Sequence, residues 1–229
     1  MRILVIFMLV LSPALALAQW SNSGGRSQTW EFSVGAIYQD SFSVGGTAAD
    51  GGASVPNTSS LDVSGRLGFT FNGTYNFTDH LALGVDFDFL RPDYNATLVP
   101  DDPNEDTLRI NHTASQFNGR IKGTYNFTDG SFTPFVDVGI GWSNFDSNVA
   151  DGPPVTGCWW HPWWGYICSN YFRTFSSTEF SYGAGLGLRY ELLGDGIIKA
   201  AYNYWELDSG GQSSDFALEG FRVEFAWRF

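Results

Sequence analysis

The chain ends in FRVEFAWRF, residues 221–229, and this stretch decides the fold. Every second residue is apolar: Phe221, Val223, Phe225, Trp227 and Phe229. The residues between them are charged or small. Alternation with a period of two is typical of a β-strand that has one apolar and one polar face. The stretch therefore predicts a strand that runs to Phe229.

The same alternation recurs along the chain and predicts an all-β protein. The alternating segments cover residues 30–39, 61–71, 81–89, 116–127, 134–143, 180–191, 198–204 and 221–229. An even number of such strands, each about 9–11 residues or longer, fits a closed transmembrane barrel. We therefore predict an eight-stranded antiparallel up-and-down β-barrel.

The connections between these segments alternate between short and long. The short ones are 78–80, 128–131 and 193–196, and the long polar ones are 40–60, 91–107, 144–178 and 207–216. Short periplasmic turns and long external loops are the expected asymmetry of a transmembrane barrel. The soluble alternatives are a sandwich or a lipocalin-like barrel with its apolar face inward. Neither has a reason to keep all its long loops at one end.

The polar face of the segments carries charges of both signs among many glycines. The predicted charge network is Glu31, Asp62, Arg66, Asp86, Asp88, Arg120, Lys122, Asp137, Arg189, Glu191, Lys199, Arg222 and Glu224. Charged side chains face lipid only at high cost, so this face is assigned to the lumen. The interior of an eight-stranded barrel is just wide enough for its own side chains. We therefore predict a packed, charge-paired lumen.

The N-terminal stretch MRILVIFMLVLSPALALAQW, residues 1–20, predicts export. It combines an early arginine, an apolar run and the small-residue pattern Ala16-Leu17-Ala18, which together indicate a signal peptide spanning residues 1–18. A transmembrane anchor is the alternative, but the apolar run is shorter than the ~20 residues that a spanning helix needs. The barrel domain is then expected to cover residues 19–229.

Together, these features resemble the small outer-membrane barrels of the OmpA/OmpX type. The stretch FTPFVDVGIGWS, residues 132–143, resembles the fifth strand of that family, and the terminal Phe229 resembles its assembly signal. The resemblance implies a bacterial outer-membrane location, with membrane lipids, lipopolysaccharide and the barrel-assembly machinery as partners. It also implies a monomer. No peptidoglycan-binding domain is expected after the last strand.

The stretch GCWWHPWWGYIC, residues 157–168, lies in the longest link and contains the only two cysteines. An even pair in an exported chain predicts a Cys158–Cys168 disulfide rather than a zinc site with His161. The aromatic residues of the candidate binding loop are Trp159, Trp160, Trp163, Trp164 and Tyr166. They either lie in the outer aromatic belt of the membrane or over the barrel mouth, or else bind a sugar or protein.

No motif predicts catalysis, a cofactor or a metal site. His112 and Ser115 lie close in sequence, but alternation places them on opposite faces. A net charge of -12 argues against nucleic-acid binding. We therefore predict a structural or surface-interaction role through the external loops. The alternatives are a small porin-like channel and, third, a rim enzyme acting on lipid A.

Overall fold

The computed structural model describes residues 25–48, 57–99, 106–150, 152–192, 195–208 and 216–229. Every regular element in these ranges is a β-strand. No helix in them is long and apolar enough to cross a bilayer. The predicted signal peptide, residues 1–18, lies outside the described residues.

Strands of two kinds make up the fold, those of the barrel wall and those of the long links. The strands are β1 (Thr29–Gln39), β2 (Phe42–Ala48), β3 (Asn57–Val63), β4 (Arg66–Asn76), β5 (Leu81–Leu90), β6 (Asp93–Val99), β7 (Leu108–Thr113), β8 (Ser115–Asn126), β9 (Phe132–Ala150), β10 (Val155–His161), β11 (Gly165–Tyr171), β12 (Thr174–Glu191), β13 (Gly196–Asp208) and β14 (Phe216–Arg228).

A closed antiparallel barrel forms the body of the protein, in the order β1-β14-β13-β12-β9-β8-β5-β4. The first and last strands close it, with Glu31 opposite Arg228 and Gln39 opposite Gly220. At one end of this seam, the Phe229 amide donates to the Trp30 carbonyl at 2.8 Å, and the Trp30 amide donates back at 3.1 Å. The predicted eight-stranded up-and-down barrel is confirmed.

The two ends of the barrel differ, as the link lengths predicted. Short links join β4 to β5, β8 to β9 and β12 to β13, and we call this side the turn end. At the other side, the loop end, the links from β1 to β4, from β5 to β8 and from β9 to β12 contain strands of their own. There β2, β3, β6 and β7 make a four-stranded sheet in the order β2-β3-β6-β7, the loop-end sheet, while β10 and β11 make a separate hairpin.

One predicted barrel strand, residues 61–71, is two strands in the structure. β3 ends at Val63 and β4 begins at Arg66. Between them, the Ser64 amide donates to the Asp93 carbonyl at 2.8 Å, and a Cβ on Gly65 would lie 2.6 Å from the Tyr38 hydroxyl. The backbone therefore leaves the barrel wall here, and only the residues from Arg66 onward belong to the barrel.

The alternation assigned the two faces of the barrel wall correctly. In β5, Asp86 and Asp88 are fully buried, whereas Val85, Phe87 and Phe89 are exposed on the outside. The other wall strands follow the same rule, so the barrel carries an exposed band of aromatic and aliphatic side chains around its circumference. Such a band stays out of water only when lipid covers it.

Glycines on the inner face allow neighbouring strands to approach closely. A Cβ on Gly141 of β9 would lie 2.2 Å from the Gly119 carbonyl oxygen of β8. A Cβ on Gly183 of β12 would lie 2.1 Å from the Tyr204 carbonyl oxygen of β13. Because these clashes are with backbone atoms, a side chain is accommodated only if a strand moves.

We expect Gly141→Ala to lower the free energy of unfolding by about 1–3 kcal/mol, the usual cost of forcing an extra methyl group into a packed site. The measurement is urea unfolding of the protein reconstituted in phospholipid bilayers. Gly45→Ala is the matched control, because a Cβ on Gly45 in the loop-end sheet would meet nothing within 4 Å. Equal losses in the two variants would contradict this reading of the inner-face glycines.

Candidate functional site

The centre of the lumen holds a cluster of ion pairs, which we call the central ion cluster: Asp86, Asp88, Arg120, Lys122 and Arg222. Asp86 accepts from Arg222 at 2.5 Å and from Lys122 at 2.6 Å. Asp88 accepts from Arg222 at 3.2 Å and also pairs with Arg120. One guanidinium thus bridges two adjacent inward positions of β5, since alternation puts both carboxylates on the same face.

Further contacts continue this cluster around the barrel wall. Lys122 lies 3.4 Å from Asp137, which also accepts from the Thr124 hydroxyl at 2.6 Å. Arg222 lies 3.2 Å from Glu224 on its own strand. The central ion cluster therefore connects β5, β8, β9 and β14 across the interior.

A second group, the turn-end ion cluster, comprises Glu31, Arg189, Glu191, Lys199 and Arg228. Glu31 accepts from Arg189 and from Lys199, both at 2.7 Å. Glu191 accepts from Arg189 at 3.1 Å and from Arg228 at 3.2 Å. This cluster links the first strand of the barrel to β12, β13 and the last strand.

Burial makes this pairing necessary. Asp86 and Asp88 are fully inaccessible to solvent, and Arg222 is 2% exposed. Removing an unpaired charge from water costs several kcal/mol, and opposite charges offset that cost only at hydrogen-bond distance. The buried charges of the lumen are therefore stable only together. Loss of one charged side chain leaves its partners buried without a compensating opposite charge.

Sequence reasoning missed one important member of the lumen, Arg26. Its guanidinium lies in the turn end, where it donates to Glu191 at 2.5 Å and to the Thr133 hydroxyl at 2.6 Å. It also donates to the carbonyls of Gly130 at 2.5 Å and Thr128 at 2.9 Å. Arg26 precedes the first alternating segment, so no periodic signal pointed to it. Only the convergence of the turns in space defines its position.

The backbone around Arg26 is fixed by the β4–β5 turn. A carboxylate oxygen of Asp79 accepts from the amides of Arg26 at 2.6 Å and Ser27 at 3.1 Å. Burial, and after it the charge of Arg189, lowers the pKa of Arg26 from its ordinary value. An arginine remains charged in proteins nonetheless, so a cation fills the turn end of the lumen.

An apolar group, the hydrophobic cap, fills the loop end of the lumen. It consists of buried Trp205, Leu207 and Leu218 with Phe42, Phe145 and Phe216 packed against them. The rings of Phe42 and Phe216 stack with their centroids 5.1 Å apart. The guanidinium of Arg120 lies 4.4 Å from the Trp205 ring centroid, so the cap rests directly on the central ion cluster.

A cavity of about 30 Å³ remains within the lumen, towards the turn end. It is lined by Glu31, Asn126, Asp137 and Lys199 among others. A buried water needs roughly 10–15 Å³ of such space, so the cavity has room for about two waters. The side-chain amide of Asn126 borders it and makes no hydrogen bond to the described protein atoms.

The assignment of Asp62 and Arg66 to the lumen was wrong. Asp62 lies in β3 of the loop-end sheet and accepts from the Ser43 hydroxyl at 2.6 Å. Arg66 begins β4 at the loop-end rim and pairs with Asp93 at 3.1 Å, and the two side chains are 49% and 56% exposed. Asp62 precedes the break at Ser64–Gly65 and lies outside the barrel wall, whereas Arg66 is the first residue of a wall strand and lies at its exposed rim. The other residues predicted for the charge network lie on the inner face of the wall strands, and all of them except Lys199, which is 13% exposed, are buried.

The aromatic stretch forms the β10–β11 hairpin, here called the Trp hairpin, residues 155–171. The predicted Cys158–Cys168 disulfide is present, and the two cysteines are directly opposed in the ladder. Trp160 is opposite Tyr166, two pairs nearer the turn, and both are exposed on the same face as the disulfide.

The turn of the Trp hairpin carries its most exposed aromatic side chains. Trp163 is 83% exposed and Trp164 is 73% exposed. The His161 ring lies against Trp164, with the ring centroids 4.3 Å apart. This places His161 in an aromatic contact at the tip of the hairpin.

His112 and Ser115, the residues considered for catalysis, each make a hydrogen bond with another residue. His112 lies in β7, where its Nδ1 accepts from the Thr113 amide at 2.9 Å. The Ser115 hydroxyl, at the start of β8, accepts from the Asn148 amide at 3.3 Å. Within the described ranges, no three or more His, Cys, Asp or Glu side chains are arranged to hold a metal ion.

We expect Arg222→Met to lower the free energy of unfolding by about 3–5 kcal/mol, because it leaves two buried carboxylates with fewer partners. Arg66→Met is the matched control, since its ion pair is solvent-exposed and such pairs contribute about 0–1 kcal/mol. Urea unfolding in phospholipid bilayers measures both. A loss below 1 kcal/mol for Arg222→Met would contradict a paired and buried cluster.

Arg26→Lys tests whether the hydrogen bonds of the Arg26 guanidinium stabilise the turn end of the lumen. Lysine keeps the charge but has no planar fork of donors, so it leaves buried carbonyls without partners. We expect a loss of about 2 kcal/mol or more. Arg109→Lys, a change at an exposed position in the loop-end sheet, is the control and should change the stability little. Equal stability of the two variants would show that the contacts of Arg26 are not needed.

Comparisons with known proteins agree with this geometry. A search of curated proteins by sequence found no match. The structure of the outer membrane protein OprG from Pseudomonas aeruginosa is similar, with 14% identity, a TM-score of 0.55, and 90% of this chain and 98% of that chain covered. Neisserial surface protein A is similar at 12% identity and a TM-score of 0.52, with 90% and 100% covered. At these identities the likeness concerns the fold.

The family model "Outer membrane protein beta-barrel domain" matches residues 4–229, so the chain belongs to that family and spans the bacterial outer membrane.

Proposed function

We propose that this protein is a non-conducting outer-membrane barrel that presents a β-structured surface to the outside of the cell. The observation that carries the proposal is the filled lumen. The hydrophobic cap closes its external end, paired charges occupy its centre, and Arg26 occupies its periplasmic end. A barrel filled in this way serves as a rigid membrane anchor.

The external part of the protein is large and ordered enough to form a binding surface. β9 has 19 residues and β12 has 18, which exceeds the roughly 9–11 that a spanning strand needs. Their extensions stand beside the loop-end sheet, where the Tyr94 hydroxyl donates to the Ser147 carbonyl at 2.9 Å. Ordered external segments on a rigid scaffold are typical sites of binding.

The inner surface of the external part has its own small core. Val63, Tyr94 and Ala114 are buried there, with Leu61 and Val149 packed against them. Burial raises the pKa of the Tyr94 hydroxyl above its ordinary value. The loop-end sheet is therefore held against β9 by apolar packing as well as by hydrogen bonds, and it offers a preformed surface to a partner in the medium.

The last strand supports a further part of the proposal. Phe229 is exposed at the periplasmic end of the seam, while its backbone pairs with Trp30. We propose that this aromatic terminus is the signal by which the barrel-assembly machinery recognises the chain. The lipid-facing band then brings the folded barrel into contact with membrane lipids and lipopolysaccharide.

A small channel is the alternative function, and conductance separates the two. We expect purified protein in planar bilayers to give a conductance at the background level, because ions have no continuous path past the hydrophobic cap and Arg26. The matched control is Arg66→Met, which alters a charge outside the lumen and should behave identically. Stepwise openings of the wild-type protein that Arg222→Met alters and Arg66→Met does not would overturn the proposal in favour of a channel.

A further inference from the structure

The Trp hairpin differs in charge from the rest of the chain. Residues 155–171 contain no Asp, Glu, Lys or Arg, whereas the whole chain has a net charge of -12. The only titratable side chains within them, apart from the disulfide-bonded cysteines, are those of His161, Tyr166 and Tyr171. The external part therefore combines acidic segments with one projecting element that has no Asp, Glu, Lys or Arg.

Aromatic side chains lie on both faces of the Trp hairpin and at its turn. Trp160 and Tyr166 occupy one face and Trp159 occupies the other, opposite Ile167. Trp163 and Trp164 extend from the turn. A sugar-binding platform needs stacked rings on one face with hydrogen-bonding groups beside them. A tip with aromatic groups on both faces and at its end is better suited to entering an apolar phase.

No other part of the described chain covers these rings. Among the described residues, the substantial packing of β10 and β11 is with each other. Trp160 at 67% and Trp164 at 73% are exposed to the same degree as Phe69 at 71%, which belongs to the lipid-facing band. For the band, the membrane removes this apolar surface from water. The Trp hairpin presents the same kind of surface beyond the barrel wall.

The position of the Trp hairpin argues against insertion of its tip into the membrane that the barrel itself spans. β9 and β12 are paired in register from Trp142 opposite Phe180 to Asp146 opposite Ser176, and they pair again at Ala150 opposite Thr174 after a bulge in β9. On β12, which has no bulge here, the six steps from Phe180 to Thr174 extend about 20 Å at ~3.3 Å per residue, and a strand tilt near 40° leaves about 15 Å along the membrane normal. The hairpin begins only after this extension, so its base is well above the lipid-facing band.

We propose that the tip of the Trp hairpin inserts into the lipid–water interface of a second bilayer that faces the cell surface. Indole and phenol rings favour this interface because they combine an apolar body with a polar N–H or O–H group. An uncharged tip enters without the cost of desolvating a charge. The disulfide reduces the number of conformations that the free hairpin samples, so less entropy is lost on insertion. This inference rests on the proposed function, since it names the partner of the external surface.

The test uses the full protein embedded in phosphatidylcholine nanodiscs and mixed with phosphatidylcholine vesicles, followed by flotation. We expect the wild-type nanodiscs to float with the vesicles. Trp163→Ser/Trp164→Ser should reduce the partition coefficient at least about tenfold, since burying one large apolar side chain contributes roughly 1.5–3 kcal/mol. Phe175→Ser is the matched control, because Phe175 is also exposed but lies on β12 outside the hairpin, and it should float like the wild type. Resistance of the unheated samples to SDS verifies that every variant is folded.

Several outcomes would overturn the inference. Failure of the wild type to float would do so, as would an equal loss in Phe175→Ser, or binding of neutral oligosaccharides in place of vesicles. Nanodiscs made with brominated lipids give a further check. If their lipids quench the wild type more than Trp163→Phe/Trp164→Phe, the tip lies on its own membrane and the inference fails. A negative flotation result with background conductance would leave the proposed function standing, whereas channel openings would remove it independently.

Discussion

The bridge that Arg222 makes between Asp86 and Asp88 is the contact on which the interior of the barrel depends. These carboxylates are completely buried, and Lys122 and Arg120 supply their remaining charge partners. In a lumen without bulk water, each charge is stabilised only by its neighbours. The cluster therefore fixes four strands relative to one another, and the turn-end ion cluster repeats the same arrangement around Glu31.

In the proposed function, the filled interior leaves the outside of the cell as the functional surface. The proposal rests on Arg26 and the hydrophobic cap, which occupy the two ends of the lumen. The wall continues beyond the membrane as the extended β9 and β12 and the loop-end sheet. The Trp hairpin is the element of this external part with the largest uncovered aromatic surface.

The period-two alternation was sufficient to predict the barrel, because lipid outside and ion pairs inside impose opposite polarity on successive residues. It failed at Asp62 because the break at Ser64–Gly65, which the pattern of residue types does not mark, separates this residue from the wall. It failed at Arg66 because the first residue of β4 lies at the exposed rim. The loop-end sheet was missed because its strands, such as NTSSLDV in β3, are largely polar on both faces. Arg26 was missed because its partners are backbone carbonyls of turns that are distant in sequence.

A double-mutant cycle on Asp86 and Arg222 tests the central claim most directly. The free energies of unfolding in phospholipid bilayers are measured for the wild type, Asp86→Asn, Arg222→Met and the double variant. For a direct buried ion pair, the account predicts a coupling of about 1–3 kcal/mol, so that the double variant loses less than the sum of the single losses. Additive losses within about 0.5 kcal/mol would show that the two side chains act independently, which contradicts a lumen held together by charge pairing.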